Sequence, residues 1–465
     1  MMAALAATLA IVVQDHAALR GAPRSSATEL TPLWQGDVLE VRGEQGGYLK
    51  VYDYHRERGG YLREEAARRI ELSAGGAPEL LAVLRFLRDS PGSEALGISY
   101  GAAYLKAVPA RALTAEPFGA IAQMAERLAD EASGGSLADL GPHLDVVEQF
   151  GVHMRTLERN GRIRVCYDGD LFQRVLSIRE APAEERARAV LGLTRPDCID
   201  PDLGPVARAS LDAERSRLLD ELAEEGLGAM TRSRLHARRA GVWASLAYGE
   251  ERRGEPSDIA AARALAELLE VHPDDLDQDR RSEYTEAVVR VSAGRWSGAP
   301  PVPQPGPLMV GEIPGEPGQT CIVLADSRKP GDQPLIRRCT YGLVRMGSIR
   351  AIPQAPAILL AVQPLESWRE LWVLHPRAGR WTLDVLSPGL DDPDQGYVDY
   401  AGYVPGSRRL LVAREVKEHR RFRRSFEELR LDDLALVRQA SSPELLRDFG
   451  RWQDVAWRRD SLVLH

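Results

Sequence analysis

The sequence predicts a multidomain α+β protein, and three observations carry that prediction. Over residues 11–72 apolar and polar positions alternate with period two, interrupted by Gly, Pro and Asp. That is the pattern of half-buried antiparallel strands in a small barrel. From 77 to 296 the period becomes 3.6, the mark of helices that each bury one stripe. From 319 to 465 alternation returns in more apolar runs, which predicts a C-terminal antiparallel β domain.

In the first part, Ile11-Val12-Val13 and Ala17-Ala18-Leu19-Arg20 open the strands, and Gly21-Ala22-Pro23-Arg24 turns the chain. Leu33-Trp34-Gln35-Gly36-Asp37 leads into Val38-Leu39-Glu40-Val41-Arg42, and Gly46-Gly47 introduces Tyr48-Leu49-Lys50-Val51-Tyr52-Asp53. Gly59-Gly60-Tyr61-Leu62 closes the set. This order of Leu19-Arg20, Pro23, Ala27, Gly36-Asp37, Leu39-Glu40-Val41, Gly43-Glu44 and the two Gly-Gly-Tyr-Leu runs resembles the bacterial SH3-like (SH3b) family. The resemblance implies an SH3-like β-barrel, and a binding or anchoring module instead of a reaction.

Ahead of these strands, residues 1–10 are apolar and Ala-rich and end in Thr8-Leu9-Ala10, like the cleavage end of an export signal. Residues 1–10 are therefore expected to be the remnant of a signal peptide. No segment reaches the 18 or so uninterrupted apolar residues of a membrane span.

The helical part begins at Pro78, with Leu80, Leu81, Leu84 and Leu87 on one face. Further helices are predicted near 93–107, 117–133, 136–150, 170–178, 182–192, 205–225, 230–253, 257–271 and 282–293. Between them, 152–167 reads as a β-hairpin, because Asn160-Gly161 supplies the two positive-φ positions of a tight turn. Residues 240–273 are similar to one tetratricopeptide unit, with Trp243, Leu246, Ala247 and Tyr248 before Ala261, Leu265, Leu268 and Pro273. A continuous core needs about three such units. One copy favours an ordinary helical hairpin.

Residues 297–318 are rich in Pro and Gly and read as a linker between independently stable parts. Beyond them, strands are predicted at Leu359–Val362, Glu370–Leu374, Trp381–Leu386, Tyr397–Tyr403, Arg409–Ala413, Phe426–Leu431 and Leu436–Gln439. Two more are predicted at Trp452–Trp457 and Leu462–Leu464. The run around Pro405-Gly406-Ser407 resembles a blade of a TolB-like β-propeller. The last two strands would then complete a blade begun by Cys321–Leu324 and Ile336–Val344. About 150 residues make three blades where rings usually need four or more. A partial propeller, a twisted sheet and a sandwich all fit the pattern.

Sixty Lys and Arg against 68 Asp and Glu give a net charge of −8 with the signs interspersed. That argues against nucleic acid as the main partner. The cluster Arg420-Arg421-Phe422-Arg423-Arg424 reads as a solvated hairpin tip. Four cysteines fall into two local pairs, Cys166 with Cys198 and Cys321 with Cys339, which predicts two disulfides in an oxidising compartment.

Chemistry-bearing patterns are few. Asp275-Leu276-Asp277-Gln278-Asp279 with Glu286 has the acidic spacing of a calcium EF-hand loop, but Arg280 occupies the position of the sharp glycine turn. A solvated acidic loop capping a helix at Ser282 is the simpler reading. Asp392-Pro393-Asp394-Gln395-Gly396 is a second oxygen-rich turn, and such residues make turns without an ion. The sequence carries no paired zinc-type histidines and no P-loop. No cofactor, metal site or catalytic residue is therefore assigned.

The aromatic residues Trp34, Tyr48, Tyr52, Tyr54 and Tyr61 are the binding candidates, since SH3-like domains dock peptides or glycan-linked peptides on such side chains. Alternation places Leu49 and Val51 on one face and Tyr48, Lys50 and Tyr52 on the other. Tyr52 and Tyr54 are expected on opposite faces, so that one of them at most meets a ligand. The functional expectation is a non-catalytic periplasmic or secreted bacterial protein that binds a protein or peptidoglycan partner in the cell envelope. A protein-interaction platform using the helical and β domains, and an envelope hydrolase with an unrecognised site, are the alternatives.

Overall fold

The computed structural model describes residues 8–135, 137–159, 161–304, 306–329, 333–352, 355–389, 395–418 and 421–460. The fold is mixed α+β, with an antiparallel N-terminal sheet, a helical middle and a largely antiparallel C-terminal sheet. The chain divides into two compact units, Met1–Leu203 with Glu221–Leu227, and Gly204–Asp220 with Gly228–His465.

The first unit opens with strands β1 (Thr8–Val12), β2 (Ala17–Arg20), β3 (Glu29–Leu33), β4 (Val38–Gln45), β5 (Tyr48–Asp53), β6 (Arg58–Arg63) and β7 (Ala67–Glu71). They form one antiparallel sheet in the order β3-β2-β6-β5-β4-β1-β7. Among the described residues β3 and β7 end the sheet without pairing to each other, so no closed barrel forms. Thr8–Ala10, expected as the end of an export-signal remnant, lie in β1, and Ala10 is buried in the sheet core. That core gathers Val12, Leu19, Leu33, Leu39, Leu49, Val51 and Leu62, one face of the alternation. Ile11, on the opposite face of β1, packs among helical residues.

Two polar devices hold the sheet. Asp37 and Asp53 are both buried, and the Arg56 guanidinium bridges them at 3.0 and 2.8 Å. Asp37 also accepts from the Trp34 N–H at 2.9 Å, which closes the turn between β3 and β4. Two buried carboxylates persist here because one cation and local N–H groups satisfy them. At Gly36 the backbone takes φ +96°, and a Cβ would sit 2.7 Å from the Ala95 carbonyl oxygen.

Helices α1 (Ala77–Arg88), α2 (Glu94–Ala107), α3 (Ala115–Gly134) and α4 (Leu137–Glu148) follow. The hairpin β8 (Met154–Arg159) and β9 (Arg162–Tyr167) comes next, then α5 (Asp170–Ser177) and α6 (Ala183–Leu193). Leu80, Leu84 and Leu87 form the buried stripe of α1 as their spacing predicts. α3 is the central helix, burying Ala120, Ile121, Met124, Ala125 and Leu128. Gly161 has the positive φ of +68° expected in the hairpin turn, while Asn160 lies outside the described residues. The Cys166–Cys198 disulfide ties β9 to the turn after α6.

The second unit holds α7 (Pro205–Asp220), α8 (Ala229–Arg252), α9 (Asp258–Leu269) and α10 (Gln278–Ala293). α8 and α9 are a helical hairpin packed with α10 through Ala240, Ala244, Ala264, Leu268, Val288 and Val291. Within the stretch expected as a linker, Leu308–Pro314 is β10, and it pairs along its length with β11 (Thr320–Asp326). β12 (Ile336–Thr340) adds to β11, and the Cys321–Cys339 disulfide joins two directly opposed residues of those strands.

The larger sheet is built from β13 (Leu343–Ile352), β14 (Ala357–Leu365), β15 (Trp368–Arg377), β16 (Arg380–Leu386), β17 (Gly396–Val404), β18 (Arg409–Glu418), β19 (Arg421–Arg430) and β20 (Leu436–Ala440). Its order is β13-β14-β15-β17-β18-β19-β20, with β16 pairing the far half of β15. A short parallel contact of Trp368 and Arg369 with β17 makes the sheet mixed.

Trp452–Trp457, expected as a strand, instead contributes to two short helices, α11 (Arg447–Trp452) and α12 (Val455–Asp460). Phe449 and Trp457 cover Phe426 and Ala401 on one face of the sheet, so the aromatic pattern serves packing instead of alternation. The expected blade closure does not form there, and β11 and β12 sit in their own three-stranded sheet. No propeller results among the described residues, and Leu462–Leu464 lie outside them.

Helices α7–α10 stay with this sheet through a buried ionic knot. Glu366, in the turn between β14 and β15, accepts from Arg208 at 2.7 Å and also from Ser245 and Arg290. Burial pushes its carboxyl up, yet Arg290 and Arg208 outweigh that and hold it down at about 2.

Candidate functional site

The five aromatic residues of the N-terminal sheet occupy different surroundings. Trp34 packs at the edge of the helical core and touches the rings of His16 and His143, with centroids 4.3 and 5.8 Å away. Tyr48 is 7% exposed, and Tyr61 is half-buried opposite Lys50. Tyr52 and Tyr54 are the pair that meets, edge to face at 5.0 Å. The expectation that they face opposite ways was wrong: residues two apart in a strand share a face, and the chain leaves β5 at Asp53 without reversing that. Arg42 lies 4.0 Å over the Tyr52 ring, and the Tyr54 hydroxyl donates to Glu40 at 3.1 Å. With Tyr54 66% exposed, these residues form a small amphipathic surface cluster across β4 and β5.

The expected acidic loop resolves into helix-capping chemistry. Asp277 is the N-cap of α10, accepting from the Arg280 N–H at 2.8 Å, so the cap is Asp277 and not Ser282. Glu286 pairs with Arg290 one turn along the helix, and Asp275 accepts from Ser233. No cluster of three or more His, Cys, Asp or Glu side chains among the described residues is placed to hold a metal ion. Asp392–Asp394 of the second oxygen-rich turn lie outside the described residues.

A deep concavity lies within the second unit, between helices and sheet. It is a cleft of about 1020 Å³. Its helical wall consists of Ala244, Ala247, Ala261, Ala264, Leu265 and Leu268, continued by Tyr284, Val288 and Val291 of α10. The sheet wall presents Tyr397, Asp399, Ala413, Arg424 and Phe426, and Trp457 with Arg458 and Arg459 closes one side. These sheet residues share a face because alternation on β17, β18 and β19 sends every second side chain the same way. Two leucines at the mouth are not covered: Leu265 is 42% exposed and Leu269 67%.

Charged groups line the sheet side of the cleft. Asp399 is held by Arg369 at 2.6 Å, with Arg295 further away at 3.5 Å. Arg414 is engaged by Glu427 at 3.0 Å. Beside Tyr397, Glu415 is 2% exposed and accepts from the tyrosine hydroxyl at 3.1 Å. Burial drives its carboxyl up to about 7, with the Tyr397 hydrogen bond and the more distant Arg424 pulling the other way.

The chain matches no known protein family, no curated protein and no solved structure.

Sequence reasoning did not assemble this cleft, although its parts carried signals. Leu265 and Leu268 stood in the tetratricopeptide-like pattern, where Leu269 beside them exceeds the single stripe a helical hairpin needs. Arg424 ended the basic run read as a solvated tip. In the structure Arg421 and Arg423 are exposed as expected, while Arg424 alternates to the cleft face and is half-buried.

Proposed function

We propose that this is a non-catalytic binding protein of an oxidising compartment, such as the bacterial periplasm or exterior, and that the cleft of its second unit is the ligand site. The observation that carries the reading is a large concavity with apolar walls, uncovered leucines at its mouth and a few polar groups along one side. Ligand sites in proteins share that composition. Two disulfides support the compartment, since thiol pairs stay oxidised outside the cytosol. No helix among the described residues is long and apolar enough to cross a membrane.

The test is uptake of the neutral fluorophore N-phenyl-1-naphthylamine by the full chain. Saturable fluorescence enhancement is expected, lost in Leu265→Asp/Leu269→Asp with the melting temperature kept. No enhancement, or one that the double variant leaves intact, removes the cleft as the site.

The Tyr52, Tyr54 and Arg42 cluster favours a second binding mode on the first unit, in line with the SH3-like resemblance. An exposed tyrosine packed on a half-buried one beside a guanidinium suits docking of a peptide or a peptidoglycan stem. Tyr54→Ala is then expected to weaken co-sedimentation with peptidoglycan without moving the melting temperature. Unchanged co-sedimentation would make the sheet a packing module.

A further inference from the structure

We infer that the cleft selects a single-chain amphiphilic anion, its apolar chain along α9 and its carboxylate or phosphate head at Arg424; this rests on the cleft being the ligand site. Size excludes a small ion as sole occupant, because about 1020 Å³ stands at the upper end of sites for drug-sized organic ligands, roughly 300–1,000 Å³. The helical wall of α8, α9 and α10 is almost wholly apolar, whereas the charged residues stand among apolar ones on the sheet, just after α10 and in the C-terminal segment. A ligand matching both walls is amphiphilic.

The sign of the head follows from the charges. The lining holds five arginines, Arg295, Arg414, Arg424, Arg458 and Arg459, against two carboxylates, Asp399 and Glu444. Asp399 is already engaged by Arg369 and Arg295, while Glu444, which accepts from the Ser442 hydroxyl, keeps its charge and lies near enough to Arg424 to feel it without forming an ion pair. Arg414 is neutralised by Glu427. Arg424 has no carboxylate within ion-pair distance among the described residues, and its guanidinium rests 5.7 Å over the Phe426 ring. Glu415, cross-strand from it, is buried and accepts from the Tyr397 hydroxyl, and it forms no ion pair with Arg424. An arginine seated on an aromatic at the junction of apolar and polar walls fits an oxyanion, which it can meet with two N–H groups. A cationic head would instead meet the like charge of Arg424.

The experiment displaces N-phenyl-1-naphthylamine from the full chain, at mildly alkaline pH and below micelle formation, with decanoate, decyl phosphate, decanol and decyltrimethylammonium. Decanoate or decyl phosphate is expected to compete about tenfold more tightly than decanol, as a charge-assisted contact at a half-buried arginine implies. The cation is expected to compete least, and the better of the two anions identifies the head group. Arg424→Gln is expected to erase the preference for anions and leave decanol unchanged, and Arg424→Lys to restore part of it. Equal competition by decanol and both anions, or a preference that survives Arg424→Gln, overturns the inference while the cleft remains the site. If the fluorophore does not bind at all, the reading beneath it fails first.

Discussion

At the residue scale two positions carry more than their chemistry suggests. Gly36 donates its N–H to Val12 at 2.9 Å, and its carbonyl accepts from Ser99 at 2.6 Å, so sheet and α2 meet on one turn. Ala at this site needs a left-handed backbone and drives a methyl into the Ala95 carbonyl. Gly36→Ala is expected to destabilise by about 3 kcal/mol, lowering the chemical-denaturation midpoint with an unchanged slope. Glu415 titrates in a different direction from most carboxylates. Its pKa rises on folding from 4.5 to about 7, so the folded state holds the proton more tightly. Stability from this group is full below about pH 4.5 and declines as pH rises through about 7, a span of about 3 kcal/mol. Glu415→Gln should flatten that decline in melting temperatures measured across the window. An equally steep decline in the variant would place the titration elsewhere.

At the scale of elements, helices and central strands were legible because their apolar periods are local properties. The ten predicted helices lie within a few residues of α1–α10, and the strands predicted between 359 and 439 match β14–β20. The misses had competing causes. Trp452–Trp457 carries aromatic spacing that served a helical cap over Phe426, and Leu308–Pro314 pairs despite its Pro- and Gly-rich setting because β11 offers an apolar edge. The two cysteine pairs were readable from spacing alone. The Cys166–Cys198 bridge spans 32 residues, for which constraint of the unfolded chain is worth about 3.7 kcal/mol. Cys166→Ser/Cys198→Ser should lose that amount in denaturant titration. Labelling of denatured, unreduced wild-type protein should find no thiol, and four labelled cysteines would remove the bridges and the compartment with them.

At the scale of the whole molecule, the division of the chain follows packing across sequence-distant elements. Glu366 depends on Ser245, Arg208 and Arg290 from three helices, so a fragment of residues 319–465 would carry a carboxylate stripped of its partners. A fragment of residues 204–465 is expected to melt cooperatively and one of residues 319–465 to lack a cooperative transition. A shorter fragment with a sharp melt would show that the helices are dispensable for the sheet. The sequence by itself determined the fold class, the helices, most strands, the cysteine pairing and the face of β5 that enters the core. Each of these rests on periodicity or on spacing along the chain. Only the tertiary structure decided that Arg42 lies over Tyr52, that Trp34 belongs to a helical core, and that α9 faces β19 across a cleft. Those are juxtapositions of residues tens to hundreds of positions apart, set by how amphipathic faces pair, and no local pattern encodes which face finds which.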